Sequence, residues 1–463
     1  MEQQEEMAEY AVSFSSKLGF DYSEAFLENT TGFSYAIEEG QLNESARIEK
    51  SGIRIRLLKN GDFYTFSTNR INKDTIRRGI ESYHPFNSVS TRLSHEKVVS
   101  SSYSEKEKEK VEPERMLEDL SSIDKEMQEL TGIKYRSSYA GSSTWDAFYV
   151  NSEGTQIHAE LPLLSSFFSV TLKNGHESRQ RVFQYGSTGG YETFKIDTIK
   201  RQIREDSESL MNVMRNGVRL SKYELARIRK VVASPEIVGI AVHESVGHPC
   251  EADRVFMREA AQAGTSYLNK GNLGMQLGSE HVNIFDDPTI KGSEGFFVYD
   301  DEGVKARKKQ LVKNGIQKEL LTNREFAGLL GLKSNGSARS DSYSNEPLIR
   351  MSNTYLKKGS TNFEELIEEA GKGVYIKSFM EWNIDDTRSF SRYQGNEAFM
   401  IKNGEIGKPI KNYVLETSTK KFWSSVRMLG RDFKLYSGNC GKGEPMQGVP
   451  VSMGGPSVLL DMS

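Results

Sequence analysis

The sequence predicts an α+β protein: mixed and antiparallel sheets with helices in the N-terminal part, followed by a strand-rich, barrel-like C-terminal domain. Three observations carry this. Lys-Asn-Gly occurs four times between alternating segments, at Lys59-Asn60-Gly61, Lys173-Asn174-Gly175, Lys313-Asn314-Gly315 and Lys402-Asn403-Gly404. Asn-Gly suits the type I′ hairpin turn, which needs positive φ at both central residues. Helical periodicity is strongest in the first half of the chain. The 463 residues exceed what one ordinary core accommodates, so two or three domains are expected.

Met1 to Leu18 reads as a first helix, stopped by Gly19. In "GIRIRLLKNGDFYTF", Ile53, Ile55 and Leu57 alternate with polar residues ahead of a turn, as a half-buried strand should. Pro113 opens a second helix, through about Leu130. The clearest helix runs from Tyr191 to Asn216. Ile196, Ile199, Ile203, Leu210, Val213 and Met214 share one face, and Gly217 stands at its end. Ser234 and Pro235 suit an N-cap and first helical position, with Ile237, Ile240 and Ala241 as the buried stripe. Another helix starts near Asn362 and reaches Glu369. Three units follow: residues 1–105 and 106–222, both α+β, and the strand-rich unit 223–463.

The composition is that of a water-soluble globular chain, 36% hydrophobic and 27% charged. The 61 basic and 64 acidic residues nearly cancel, which argues against nucleic acid or a membrane surface as partner. The densest basic cluster, Lys305, Arg307, Lys308 and Lys309, is small. The acidic start "MEQQEEMAEY" is unlike a signal peptide, and the apolar "LPLLSSFFSV" (161–170) is too short to span a bilayer. The two cysteines, Cys250 and Cys440, form no disulfide framework and suggest a reducing cytoplasm.

The chemistry concentrates in "HESVGHPCEAD", His243 to Asp253. Its H-E-x-x-x-H spacing is one residue longer than the zinc-hydrolase motif H-E-x-x-H. On an ideal helix, residues four apart differ by about 40° around the axis and residues five apart by about 140°, so the rings should diverge. Two distortions restore convergence. One is a π-bulge with i→i+5 bonding. The other is an early helix stop, with Gly247 leaving right-handed space and Pro249 pushing His248 toward extended backbone. The glycine and proline flanking His248 favour the second. The bland reading is a helix end with two satisfied histidines. A catalytic zinc takes three protein ligands, and Cys250 or Cys440 can supply the third. Cys440 lies among Gly438, Gly441 and Gly443, with Lys442 near enough in sequence to favour a thiolate. A buried inert thiol is the ordinary fate of either cysteine.

"HESVGHPCEAD", joined to the late "CGKGEPMQGVPVSMGGP", resembles the TldD branch of the TldD/PmbA metallopeptidases, once described as modulators of DNA gyrase. Supporting stretches are "FDDPTIKGSEGFFVYDDEGV" (285–304), "NGSARSDSY" (335–343), "PLIRMSNTYLKKGS" (347–360), "GFDYSEAFLE" (19–28) and "SGIRIRLLKNGDFYTFSTN" (51–69), so the likeness covers essentially the whole chain. The TldE/PmbA branch lacks the histidine motif. The resemblance implies a zinc peptidase acting on unfolded or extended peptides. It implies His243, His248 and Cys440 as zinc ligands in the C-terminal domain, and Glu244 as general base. It also implies pairing with a TldE-like paralogue, with a homodimer as the alternative. Cys250 has no role in it, and Pro249 departs from the small residue expected there. Three rival readings remain. One is a non-catalytic peptide-binding or regulatory scaffold that partners a TldE-like subunit. Another is a regulator of a nucleic-acid enzyme, and the third a thiol nucleophile at Cys440.

Overall fold

The computed structural model describes residues 2–85, 91–259 and 264–463; Met1 of the first expected helix lies outside them. The N-terminal half is one curled sheet with helices against it. Helix α1 (Glu2–Lys17) leads into β1 (Tyr22–Glu38), β2 (Gln41–Lys59) and β3 (Asp62–Thr68). Then come α2 (Lys73–Glu81), β4 (Ser100–Ser104), α3 (Pro113–Gln128), β5 (Ile133–Asn151), β6 (Gln156–Asn174) and β7 (Glu177–Ser187). The strand order is β3-β2-β1-β5-β6-β4, with β7 also beside β6. β1 pairs antiparallel with β5 from Glu24 through Glu38. The boundary expected near residue 105 therefore does not separate two sheets: long-range pairing joins segments on both sides of it.

Three of the four Lys-Asn-Gly turns have positive φ at both residues: Asn60 and Gly61, Asn314 and Gly315, Asn403 and Gly404. The fourth differs. Asn174 still pairs with Glu177, so the two-residue loop is Gly175-His176, with positive φ at Gly175.

Ile53, Ile55 and Leu57 of β2 are buried beneath α1 and α2, as their alternation predicts. The polar residues between them are buried too. Arg54 Nη1 donates to Ser340 Oγ (2.8 Å) and Asn345 O (2.9 Å). Arg56 pairs with Glu24 and Glu302, both at 2.9 Å. The second face of the sheet is thus covered by the C-terminal half, which period-two patterning cannot foresee. On the other part of the sheet, Met116, Leu120 and Ile123 of α3 pack with Ile199, Ile203 and Leu210 of α4 (Ile196–Asn216) against Phe168 and Val170. α4 begins five residues later than expected, because Tyr191–Thr193 forms a separate tight turn.

After a four-residue helix α5 (Lys222–Leu225) and strand β8 (Lys230–Ala233), the chain enters α6 (Pro235–Val242). β8 belongs to a seven-stranded sheet, parallel to strand Lys372–Ile384 and antiparallel to Val458–Asp461. A second, six-stranded sheet ends at strand Lys434–Lys442, paired antiparallel with Gln447–Gly455. α6 lies between the two sheets. Every residue of it except Glu236 is buried, so the expected stripe is a helix buried all round. Gly239 makes this possible: a Cβ there would sit 3.2 Å from Gly454 Cα. That close approach seats α6 on strand Gln447–Gly455, whose partner strand carries Cys440.

Candidate metal centre

Ser234 caps α6, its side chain accepting from Ile237 N (3.4 Å), and Pro235 follows as expected. Beyond Val242 the helix neither stops nor stays regular. The N–H of His248 bonds to the carbonyl of His243, an i→i+5 bond that widens the turn over His243–Gly247. His248 keeps right-handed dihedrals (φ −58°, ψ −43°), and so does Gly247 (φ −57°, ψ −63°). This corrects the early-stop expectation: the π-bulge is the route taken, and Pro249 begins a tight turn without breaking the helix before it. Gly247 serves packing instead, since a Cβ there would lie 1.9 Å from Met351 Sδ. The wide turn's polar groups are held: Tyr267 OH donates to Ser245 O (2.8 Å) and Trp423 Nε1 to Ser245 Oγ (2.9 Å).

The bulge brings the two rings together, with centroids 4.8 Å apart and planes at 81°. Cys440 Sγ lies 3.4 Å from His248 Nε2. One ligand atom from each of His243, His248 and Cys440 falls within 4.8 Å of the others, and all three residues are buried. Cys250 is buried elsewhere, and burial pushes its thiol far up. The cysteines are not bonded to each other.

The surroundings suit a soft divalent cation. Burial lowers the pKa of both imidazoles, that of His248 to about 4, so both are neutral near pH 7. Glu251, fully buried, accepts from His248 Nδ1 (3.0 Å), which leaves Nε2 free to ligate. Burial alone would raise the Glu251 pKa, but Lys442, His248 and Arg254 hold it well below the carboxylate range. His243 Nδ1 is buried with no hydrogen-bond partner, an orphan that a metal ion would satisfy. Burial also pushes the Cys440 thiol up, yet His248 and Arg350 outweigh it and bring it down to about 7. Lys442 is not the cause expected from its sequence position. Its Nζ is spent on Glu251 (3.1 Å), Asp253 (2.7 Å) and Ile349 O (2.8 Å). Two neutral imidazoles and a thiolate are donors that favour zinc over magnesium or calcium.

Glu244, the motif carboxylate, is buried and ion-paired to Arg388 Nη1. It shares the wall of a cavity of about 1180 Å³ with His243, His248 and Cys440. β7 and strand Lys434–Lys442 both line it, as do Phe379 and Trp382. The two strands touch where Gly186 N donates to Ser437 Oγ (2.9 Å). Sequence reasoning missed Arg388, Arg350 and Glu251. The first two carried no local signal. Glu251, three residues after His248, was visible as a carboxylate within reach of that ring.

The carboxylate of Glu244 thus stands beside a His, His, Cys cluster able to hold a metal ion, on the wall of one cavity. The chain belongs to the PmbA/TldA metallopeptidase family: residues 227–463 match its C-terminal domain and residues 23–83 its domain 1. A Methanothermobacter thermautotrophicus protein named "Metalloprotease" is 32% identical over 92% of this chain and 91% of its own. The "Zinc metalloprotease TldD homolog" of Saccharolobus solfataricus is 27% identical over 96% of both chains. The crystal structure of TldE from Thermococcus kodakarensis has the same fold (TM-score 0.76, 15% identity, 98% of both chains). Among the described residues, no helix is long and apolar enough to cross a membrane.

Proposed function

We propose that the chain is a zinc-dependent peptidase cleaving unfolded or extended peptides, with His243, His248 and Cys440 as the metal ligands. The observation that carries this is their convergence beside Glu244 on one cavity wall. Zinc held there would supply Lewis acidity toward the scissile carbonyl and a nucleophilic water near pH 7. The chain's own groups do the rest. Glu251 keeps the His248 ring oriented through Nδ1. Glu244 takes the proton of the attacking water and passes it to the leaving amine. The carbonyl carbon gains the water oxygen and the C–N bond breaks, consuming one water per bond.

Substrate choice follows from the walls. β7 pairs only with β6, and strand Lys434–Lys442 only with Gln447–Gly455, so each has an edge without a strand partner among the described residues. An extended peptide adds to such an edge through main-chain bonds, which reads backbone more than side chains. A folded protein cannot present that backbone. The fold shared with a TldE supports pairing with a TldE-like paralogue, the homodimer being the alternative. Two unbridged cysteines suit the cytoplasm.

The test is cleavage of an unstructured quenched-fluorescent peptide by the zinc-loaded protein, alone and with a TldE-like partner. Turnover abolished by chelation and restored by zinc supports the reading. Activity that survives chelation but not alkylation would make Cys440 a nucleophile instead.

A further inference from the structure

Resting on that peptidase reading, a second question is what stabilises the charge that develops on the substrate's carbonyl oxygen. We propose that Arg388 is a catalytic residue of this site: it fixes Glu244 through Nη1 and offers its remaining N–H groups to the scissile carbonyl oxygen as charge builds there.

Four independent features support this. Arg388 Nη1 bonds to Glu244 Oε2 and, at 3.5 Å, to the Glu244 carbonyl, so the guanidinium is tied to the motif helix. The side chain is buried yet lines the same cavity as His243, His248 and Cys440. Its Nε is buried with no partner. An unsatisfied buried donor is costly and needs a reason, and an acceptor that arrives with the substrate is one. Finally, Arg388 has φ +63°, a left-handed backbone that non-glycine residues avoid.

The neighbours over-determine that strained backbone. Arg388 N donates to Asp385 O (2.9 Å), and Thr419 Oγ1 donates to Arg388 O (2.7 Å). Asp385 also accepts from Phe390 N (2.6 Å), which closes the turn. A turn fixed this firmly aims one side chain. Simple charge balance for Glu244 would not require the strain, since an arginine on a relaxed strand could supply it.

Water's oxygen bonds to the carbonyl carbon, its proton goes to Glu244, and the carbonyl π pair moves onto the oxygen that faces Arg388. Collapse returns that pair, breaks the C–N bond and delivers the proton to the amine. Arg388 only donates hydrogen bonds and exchanges no proton in this step.

The experiment compares zinc-loaded wild type, R388A and R388K on an unstructured quenched-fluorescent peptide. It also compares their affinity for a phosphinic peptide, a tetrahedral mimic, with that for the parent amide. R388A is expected to keep its zinc and stay folded, with a lowered thermal midpoint from the unpaired Glu244, while kcat falls by about 10²–10³-fold, the loss typical of one oxyanion donor. KM should change little, phosphinic-peptide affinity should drop by a factor comparable to kcat/KM, and amide affinity should hold. Added guanidinium ion should restore part of the R388A rate. R388K should regain little, because an ammonium lacks the fork that reaches Glu244 and the oxygen together. Undiminished turnover and phosphinic-peptide affinity in R388A would overturn the proposal. Loss of zinc or of folding in both variants would also overturn it, making Arg388 a structural residue. A zinc-loaded wild type that cleaves no peptide would instead sink the peptidase reading itself.

Discussion

The N–H of His248 bonds to the carbonyl of His243, five residues earlier, and this one bond lets an H-E-x-x-x-H sequence present two converging imidazoles. A regular helix would set the rings about 140° apart. The extra residue is absorbed by widening a single turn, a distortion found mostly at functional sites.

The tight fit around that turn is testable through Gly247. A Cβ there would lie 1.9 Å from Met351 Sδ, so G247A should cost about 1–3 kcal/mol, the usual penalty of overpacking. Urea unfolding should show a lower midpoint at unchanged m-value. Shortening Met351 to Ala in the same chain should recover part of the loss, whereas a neutral G247A would mean that the turn is loosely packed.

Glu251 orients His248 from behind. E251Q keeps the shape but loses the charge, and zinc affinity measured by chelator competition should fall about 10–100-fold. Equal affinity would remove Glu251 from the account.

Glu244 has a different signature. E244Q should retain about one zinc per chain, with kcat lowered by about 10²–10⁴-fold. Undiminished peptide cleavage would refute the general-base assignment.

A pH effect is expected at Glu294, which contacts Ser437 and Gly438 of the cavity wall. Burial, only partly offset by Ser437, Gly438 and Arg339, raises the Glu294 pKa from 4.5 to about 7, and its Oε2 has no partner. A carboxylate with a raised folded-state pKa contributes stability that is present below 4.5 and lost as pH rises through about 7. E294Q should flatten the fall in unfolding free energy across that window, an effect on the order of 3 kcal/mol. Identical pH profiles for both proteins would count against it.

How much of this the sequence carries depends on the distance over which each feature is set. The hairpins at Asn60, Asn314 and Asn403 are legible because a turn's φ requirements fall on adjacent residues. The two histidines and the pair of candidate cysteines are legible because their chemistry is written in side-chain identity, whereas the choice of Cys440 over Cys250 came only from the family resemblance. Arg388 is not legible, since an isolated arginine between strands gains its role only when the turn at Asp385 brings it to Glu244 in the wide turn His243–Gly247. Lys442 misled for the same reason: nearness in sequence to Cys440 says nothing about the buried acids that claim its ammonium. Local rules pointed the wrong way at the bulge, because Gly247 and Pro249 favour an early stop. Tertiary packing against Met351 and Trp423 decides it.

X-ray absorption at the zinc edge tests the central claim most directly, on the reconstituted wild type beside C440S. The account predicts one sulfur at about 2.3 Å and two imidazole nitrogens at about 2.0–2.1 Å, with the sulfur shell absent from the variant. A wild-type spectrum without sulfur, or a sulfur shell that persists in C440S, would contradict it.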